Sequence, residues 1–242
     1  MGQHAVATQK ARLSEQLLLS VAEQLKLPLL QIARHAEFMK SGEDAALGLQ
    51  EIQTTADMAV RLLDNYLFGA RLSLEHDYRL SLEPVTVSSV LYDSGQQLGA
   101  IAKLYNVDLE LDIAGGLEPV LANRQGLQSA FVSLGYTLIE ALPSLDPGKL
   151  RLRLGAHRSR YGIVAGVYSD VEQLTHEALR AGRKLQGHVR QPLPTLTHGS
   201  GAGVFVADAI LQAMDSQLRP TRHQRLFGLG AILKPNPQLQ LV

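Results

Sequence analysis

Two kinds of residue in this 242-residue chain have the type and spacing to do chemistry. The first is a glycine run, Gly199-Ser200-Gly201-Ala202-Gly203, set directly before an apolar stretch from Val204 to Met214 that reads as a helix. Free N–H groups at a helix N-terminus attract phosphate, and glycine lets a ligand come close to them. The same glycines also serve tight turns and close helix packing, and the sequence leaves both readings open. Just upstream stand Arg180, Arg183, Lys184, His188 and Arg190, which read either as an anion- or partner-facing surface or as a solvated lid. Ser200 sits one place too early for the G-x-S-x-G nucleophile elbow, which argues against an α/β-hydrolase. The second kind is histidine. His157, His176, His188, His198 and His223 lack the spacing of a metal site such as HExxH, so no metal is expected. Cysteine is absent, which removes thiolate clusters, disulfides and cysteine nucleophiles and fits a reducing compartment.

Composition narrows the partners. Lys plus Arg number 23 and Asp plus Glu number 23, so no net field draws in phosphate backbones or anionic lipid. Nucleic acid and membrane are therefore not expected partners. No apolar run approaches the roughly 18 residues of a membrane span, and Met1 to Ser14 mixes charged and polar residues instead of forming a signal core. A cytoplasmic chain is the expectation.

The elements that must position these residues begin with two helices. Leu18, Ala22, Leu25, Leu29, Ile32, Ala36 and Met39 recur at alternating steps of four and three, the seam of a coiled coil. Pro28 interrupts this helix and predicts a local kink. Ser41-Gly42-Glu43-Asp44 breaks the pattern, and the alternation resumes as Leu49, Ile52, Ala56, Ala59, Leu63, Tyr66 and Ala70. Two antiparallel helices over 12–74 follow, behind a short N-terminal tail of residues 1–11. One reading is an ordinary hairpin packed on the rest of its own chain. The seam runs through both arms, however, and a lone hairpin would leave the flanking Leu17, Leu19, Leu62 and Leu67 poorly covered, so two copies are expected to form a four-helix bundle through it.

After Arg71 the texture changes: Ser73 to Pro84 reads as a polar linker, and strands and helices follow in mixture. Arg79 to Val85, Val107 to Ile113, Leu150 to Leu154, Tyr161 to Tyr168 and Leu226 to Leu233 alternate as strands. Val87 to Leu104, Asn123 to Leu142, Thr175 to Lys184 and Val204 to Met214 carry helical periodicity, and 185–203 reads as a loop. The prediction is an α+β chain: a helical hairpin, then an α/β sandwich over 80–238 with one sheet face on helices and the other in solvent.

Four segments in this order resemble the catalytic core of bacterial sensor histidine kinases, whose helical hairpin carries the phosphoacceptor and whose ATP-binding domain is of the GHKL type. Leu25-Lys26-Leu27-Pro28-Leu29 is similar to the family's L-R-T-P-L, and Leu63-Asp64-Asn65-Tyr66-Leu67 closes the second helix. Leu82-Glu83-Pro84-Val85 enters the second domain, and Gly199 to Val204 resembles G-T-G-L-G-L. The resemblance covers about residues 12–236 and implies a dimer, an ATP and Mg²⁺ site, and docking of a response-regulator receiver domain.

The departures change what it implies. Glu23 stands where the family places its phosphoacceptor histidine, and a carboxylate would give a readily hydrolysed acyl phosphate in place of a phosphohistidine. Ser133 and Thr137 replace the two asparagines of the nucleotide helix, the second of which holds Mg²⁺ in the family. Ser169 replaces the aspartate that reads adenine, with Asp170 able to serve only after a one-residue slip, and no glycine follows in Val171 to Leu174. The expectation is a non-catalytic, histidine-kinase-like homodimeric scaffold with no cofactor; ATP and Mg²⁺ would bind only if Thr137, Asp170, Gly199, Gly201 and Gly203 still formed a working pocket. Glu23, Gln24, Leu27 and Gln31 mark the flank where a receiver domain would dock. Glu23 is either a constitutive negative charge or a solvated residue beside the seam. Two alternatives remain: phosphotransfer on His35, 12 residues past Glu23, and nucleotide sensing through the Gly199 loop.

Overall fold

The structure, a computed structural model, describes residues 21–22, 25–26, 28–40, 45–74, 79–141, 150–170 and 201–235. The expected elements over 175–184 and 185–200 lie outside these. Helix α1 is described over 28–40, with 21–22 and 25–26 also helical, and α2 is Ala45–Leu74. Pro28 is buried in α1. Together the two helices make the expected hairpin. His35 Nδ1 of α1 lies 2.9 Å from Glu51 Oε2 of α2 and ties the arms together.

Beyond the hairpin the order is β1 Glu83–Val85, α3 Val87–Leu104, β2 Val107–Ile113, β3 Val120–Ala122, α4 Arg124–Ala141, β4 Leu150–Ser159, β5 Gly162–Ser169, α5 Ala202–Gln212, β6 Arg219–His223 and β7 Leu226–Leu233. Five strands form one mixed sheet in the order β2-β4-β5-β7-β6, in which only β2 and β4 run parallel. A short β1–β3 antiparallel pair stands apart. The chain is α+β, as the periodicities predict. Asn123 starts α4 by accepting the Gly126 N–H at its Oδ1, a side-chain cap for an otherwise orphaned donor.

Leu152, Leu154 and Ala156 of β4 and Ile163, Ala165 and Val167 of β5 turn one sheet face toward α3 and α4. Every residue of α5 from Ala202 to Leu211 is buried, which suits a helix that is apolar all round. It lies between α4 and α2. Gly69 makes the α2 contact possible, because a Cβ there would stand 3.0 Å from the Val206 Cα. Burial also closes over Leu62 and Tyr66 of α2.

Three expectations are corrected. Tyr66 belongs to the core of its own chain, 2% exposed, and not to a seam between copies. Leu62 is likewise covered within the chain. The physical reason is that α2 has two apolar stripes about 125° apart, Leu62, Tyr66 and Gly69 on one and Val60, Leu63 and Leu67 on the next, and the first packs on the second domain. The sheet face away from the helices is not simply solvated either, since β6, which the pattern missed, brings the buried His223 onto it.

Candidate functional site

The site the resemblance implies would lie where α4, the start of α5 and the end of β5 converge. Ser133 and Thr137 are one turn apart on α4, so both face α5. The first turn of α5 reaches them through Gly203: a Cβ on this glycine would collide with Thr137 Oγ1 and with the Ser133 carbonyl. Gly201 precedes it as the N-cap in the left-handed region, φ 70°, where only glycine sits without strain. The glycines thus serve a turn and a close helix crossing. Gly199 lies outside the described residues.

Both hydroxyl oxygens, Ser133 Oγ and Thr137 Oγ1, are sealed from solvent and lack a hydrogen-bond partner. A Mg²⁺ ion asks for about six oxygen ligands, several of them water or carboxylate. Two neutral hydroxyls buried against the Gly203 backbone do not fit it. At the end of β5, Ser169 pairs with Leu152 and so shares the helix-facing side of the sheet, where it is buried. Asp170 is exposed, 3.4 Å from the Ser169 hydroxyl, so the buried place at which the resembled family has its adenine-reading carboxylate holds a serine here.

Beside this cluster lies a group of tyrosines, of which the periodicity put Tyr66 in the seam and left Tyr105 and Tyr136 unassigned. Tyr66 of α2, Tyr105 after α3 and Tyr136 of α4 have buried hydroxyls with no hydrogen-bond partner. Burial, and secondarily the Glu140 carboxylate, pushes all three phenols well above their ordinary value, with Tyr105 and Tyr66 adding to the shift at Tyr136. The Gln31 side chain comes near enough to Tyr105 to offset part of its shift, although neither Gln31 Oε1 nor the phenol meets hydrogen-bond geometry. Gln31, expected on a flank open to a partner, therefore turns its buried amide oxygen into this junction between hairpin and second domain. The only advance signal was that aromatic residues sat at core positions on helical periods.

On the hairpin, Glu23, Gln24, Leu27 and Leu18 lie outside the described residues. Leu29, Leu49 and Leu63 of the expected seam are exposed at 58%, 60% and 39%, and Leu30, Val60 and Leu67 extend the same apolar surface. Ala22 is exposed, and Leu25, Ile32, Ile52 and Ala59 are half-buried. His35 meets the Glu51 carboxylate through Nδ1, which leaves Nε2 as the free ring nitrogen when the imidazole is neutral. Among the described residues no cluster of three or more His, Asp or Glu has the arrangement of a metal site.

No protein-family model matches the sequence, and no curated protein does. Solved structures do match in fold. The Acinetobacter baumannii histidine kinase AdeS superposes with a TM-score of 0.51 at 12% identity, over 88% of this chain and 98% of that one. Full-length ShkA, solved in complex with AMPPNP, superposes with a TM-score of 0.52 at 16% identity, over 92% of this chain and 45% of that one. Among the described residues no helix is long and apolar enough to cross a membrane. The chain has a histidine-kinase-like fold, a helical hairpin followed by a GHKL-like α/β domain.

Proposed function

We propose that this chain is a non-catalytic, histidine-kinase-like homodimeric scaffold of two-component-type signalling, acting in the cytoplasm and docking a partner such as a response-regulator receiver domain. The observation that carries this reading is the contact of Gly203 with Thr137. It buries two neutral hydroxyls, Ser133 Oγ and Thr137 Oγ1, against the Gly203 backbone at the places where the resembled family carries the amides of its nucleotide helix. Glu23 supports it from the sequence, because a carboxylate at that place offers no imidazole nitrogen to a γ-phosphate. The apolar surface of Leu29, Leu49, Val60, Leu63 and Leu67 supports a second copy as its cover. The receiver would dock beside Glu23, Gln24 and Leu27, away from Tyr66 and Gln31.

Calorimetric titration of the full chain with Mg-ATP tests the reading. No heat in the micromolar range is expected, whereas a clear 1:1 isotherm overturns it. Light-scattering mass tests the dimer: the wild type should weigh two chains and Leu63→Glu, at an exposed site, one folded chain. A folded monomer of the wild type sinks the homodimer.

One contact favours a second reading, phosphotransfer on His35. Glu51 can hold the Nδ1 proton and leave Nε2 nucleophilic, as a carboxylate orients other reactive histidines. Incubation with a phosphorylated receiver domain separates the two: acid-labile label lost in His35→Gln supports transfer, and no label supports the scaffold.

A further inference from the structure

The two edge strands of the main sheet meet through side chains on the face turned away from α3 and α4. His223 of β6 is 5% exposed there. Its Nδ1 lies 3.0 Å from Nδ1 of His157 on β4, and its Nε2 lies 3.0 Å from Oδ2 of Asp112 on β2. The Asp112 approach has ion-pair distance without hydrogen-bond alignment. Gly155 makes the crossing possible, since a Cβ there would stand 3.1 Å from the His223 ring. The Tyr168 ring flanks it with centroids 5.1 Å apart. Gln224 donates to Asp112 at 2.7 Å and accepts from Arg153 at 3.0 Å, and Arg153 in turn donates to Glu110.

Two Nδ1 atoms at this distance accommodate one proton between them, with one ring donating and the other accepting. A second proton would set two N–H groups and two positive charges face to face. In the sheet ladder β6 is bonded to β7 alone, so these side chains are what tie it to β4 and β2. We propose that the His157–His223 pair is a proton-operated clasp that holds edge strand β6 across the sheet at neutral pH and releases it on acidification.

The surroundings agree with that sense. The titratable and charged groups facing His223 are Asp112 and Glu110 from β2, Arg153 and His157 from β4, and Tyr168 from β5; on β6 itself Arg222 stacks on Phe227. Burial and the neighbouring His223 hold the His157 imidazole below its ordinary value of 6.5, with Asp112 offsetting part of this. A histidine freed from the clasp takes a proton from about pH 6.5 downward, while the closed pair resists the second one. The clasp is therefore fully closed above that pH and weakens as pH falls below it. This device does not depend on the function proposed above.

Amide hydrogen exchange on the full chain at pH 7.5 and pH 5.0, corrected for the intrinsic chemical rate, tests it. Protection of Arg219 and of Thr221 to Gln224 should fall at the lower pH relative to β4 and β5. His157→Gln, which keeps a neutral donor for His223, should hold that fall under about twofold. Unchanged wild-type protection of β6, or an equal fall in the variant, overturns the clasp. A measurement on the wild type alone stands beside it: NMR titration should show the His157 imidazole taking its proton below the ordinary 6.5, and protonation at or above that value overturns the clasp.

Discussion

Gly203 at the start of α5 stands against Thr137 of α4 so closely that a Cβ on the glycine would strike the threonine hydroxyl. The hydroxyl is buried and unpartnered, so it contributes the cost of desolvation and gains no bond in return. Thr137→Val keeps the shape and removes that cost. It should leave the unfolding free energy unchanged or raise it by up to about 1–3 kcal/mol. Gly203→Ala should lower it by about 1–3 kcal/mol through overpacking. Urea denaturation of both variants checks the pair, and a clear loss of stability in Thr137→Val would show that the hydroxyl has a partner.

Where α2 crosses α5, two effects of one substitution oppose each other. Gly69→Ala in mid-helix gains about 1 kcal/mol of helix propensity. The new Cβ, however, would stand 3.0 Å from both Cα and Cγ2 of Val206, and a backbone atom in a fully buried helix yields little. The steric term should win, with a net loss of about 1–2 kcal/mol on thermal unfolding. A stabilised Gly69→Ala would mean that the hairpin does not rest on α5.

High pH should strike the hairpin–domain junction. Tyr66, Tyr105 and Tyr136 are held above their ordinary value of 10.0 by burial first and Glu140 second. Unfolded phenols release their protons from about pH 10 upward while the folded ones retain them. Stability is thus complete below pH 10 and falls as pH rises past it, by about 1.4 kcal/mol per unit for each group. Absorbance at 295 nm recorded with far-ultraviolet circular dichroism should show these phenolates appearing only as helix is lost. Their appearance in the folded chain would place the tyrosines in water.

The hairpin was legible because burial on one side of a helix forces a recurrence near 3.6 residues, and Leu18 to Met39 and Leu49 to Ala70 carry it. Strand β2 was legible for the corresponding reason, and β5 and β7 by short apolar runs that are buried on both faces. The pattern in Leu150 to Leu154 found β4 but stopped short of Ser159, because the exposed Arg158 stands where the alternation calls for an apolar residue. Strand β1 falls at the end of the alternation over Arg79 to Val85. Strand β3, three residues long, is too short to show a period. Arg219-Pro-Thr-Arg-His hid β6 among polar residues, since its edge position leaves most of them in solvent.

Residue identities alone determined that Glu23 carries a carboxylate and Ser133, Thr137 and Ser169 carry hydroxyls, at positions where the resemblance would call for an imidazole, two amides and a carboxylate, because chemical groups are properties of side chains whatever surrounds them. Only the tertiary structure decided which apolar stripe of α2 would be covered, that Gly203 would close on Thr137, and that Asp112 and His223, more than a hundred residues apart, would face each other across a sheet. Those outcomes depend on how two helices share one neighbour and how far a glycine-bearing sheet lets its edges approach. Such distances arise between elements, and local periodicity carries no record of them.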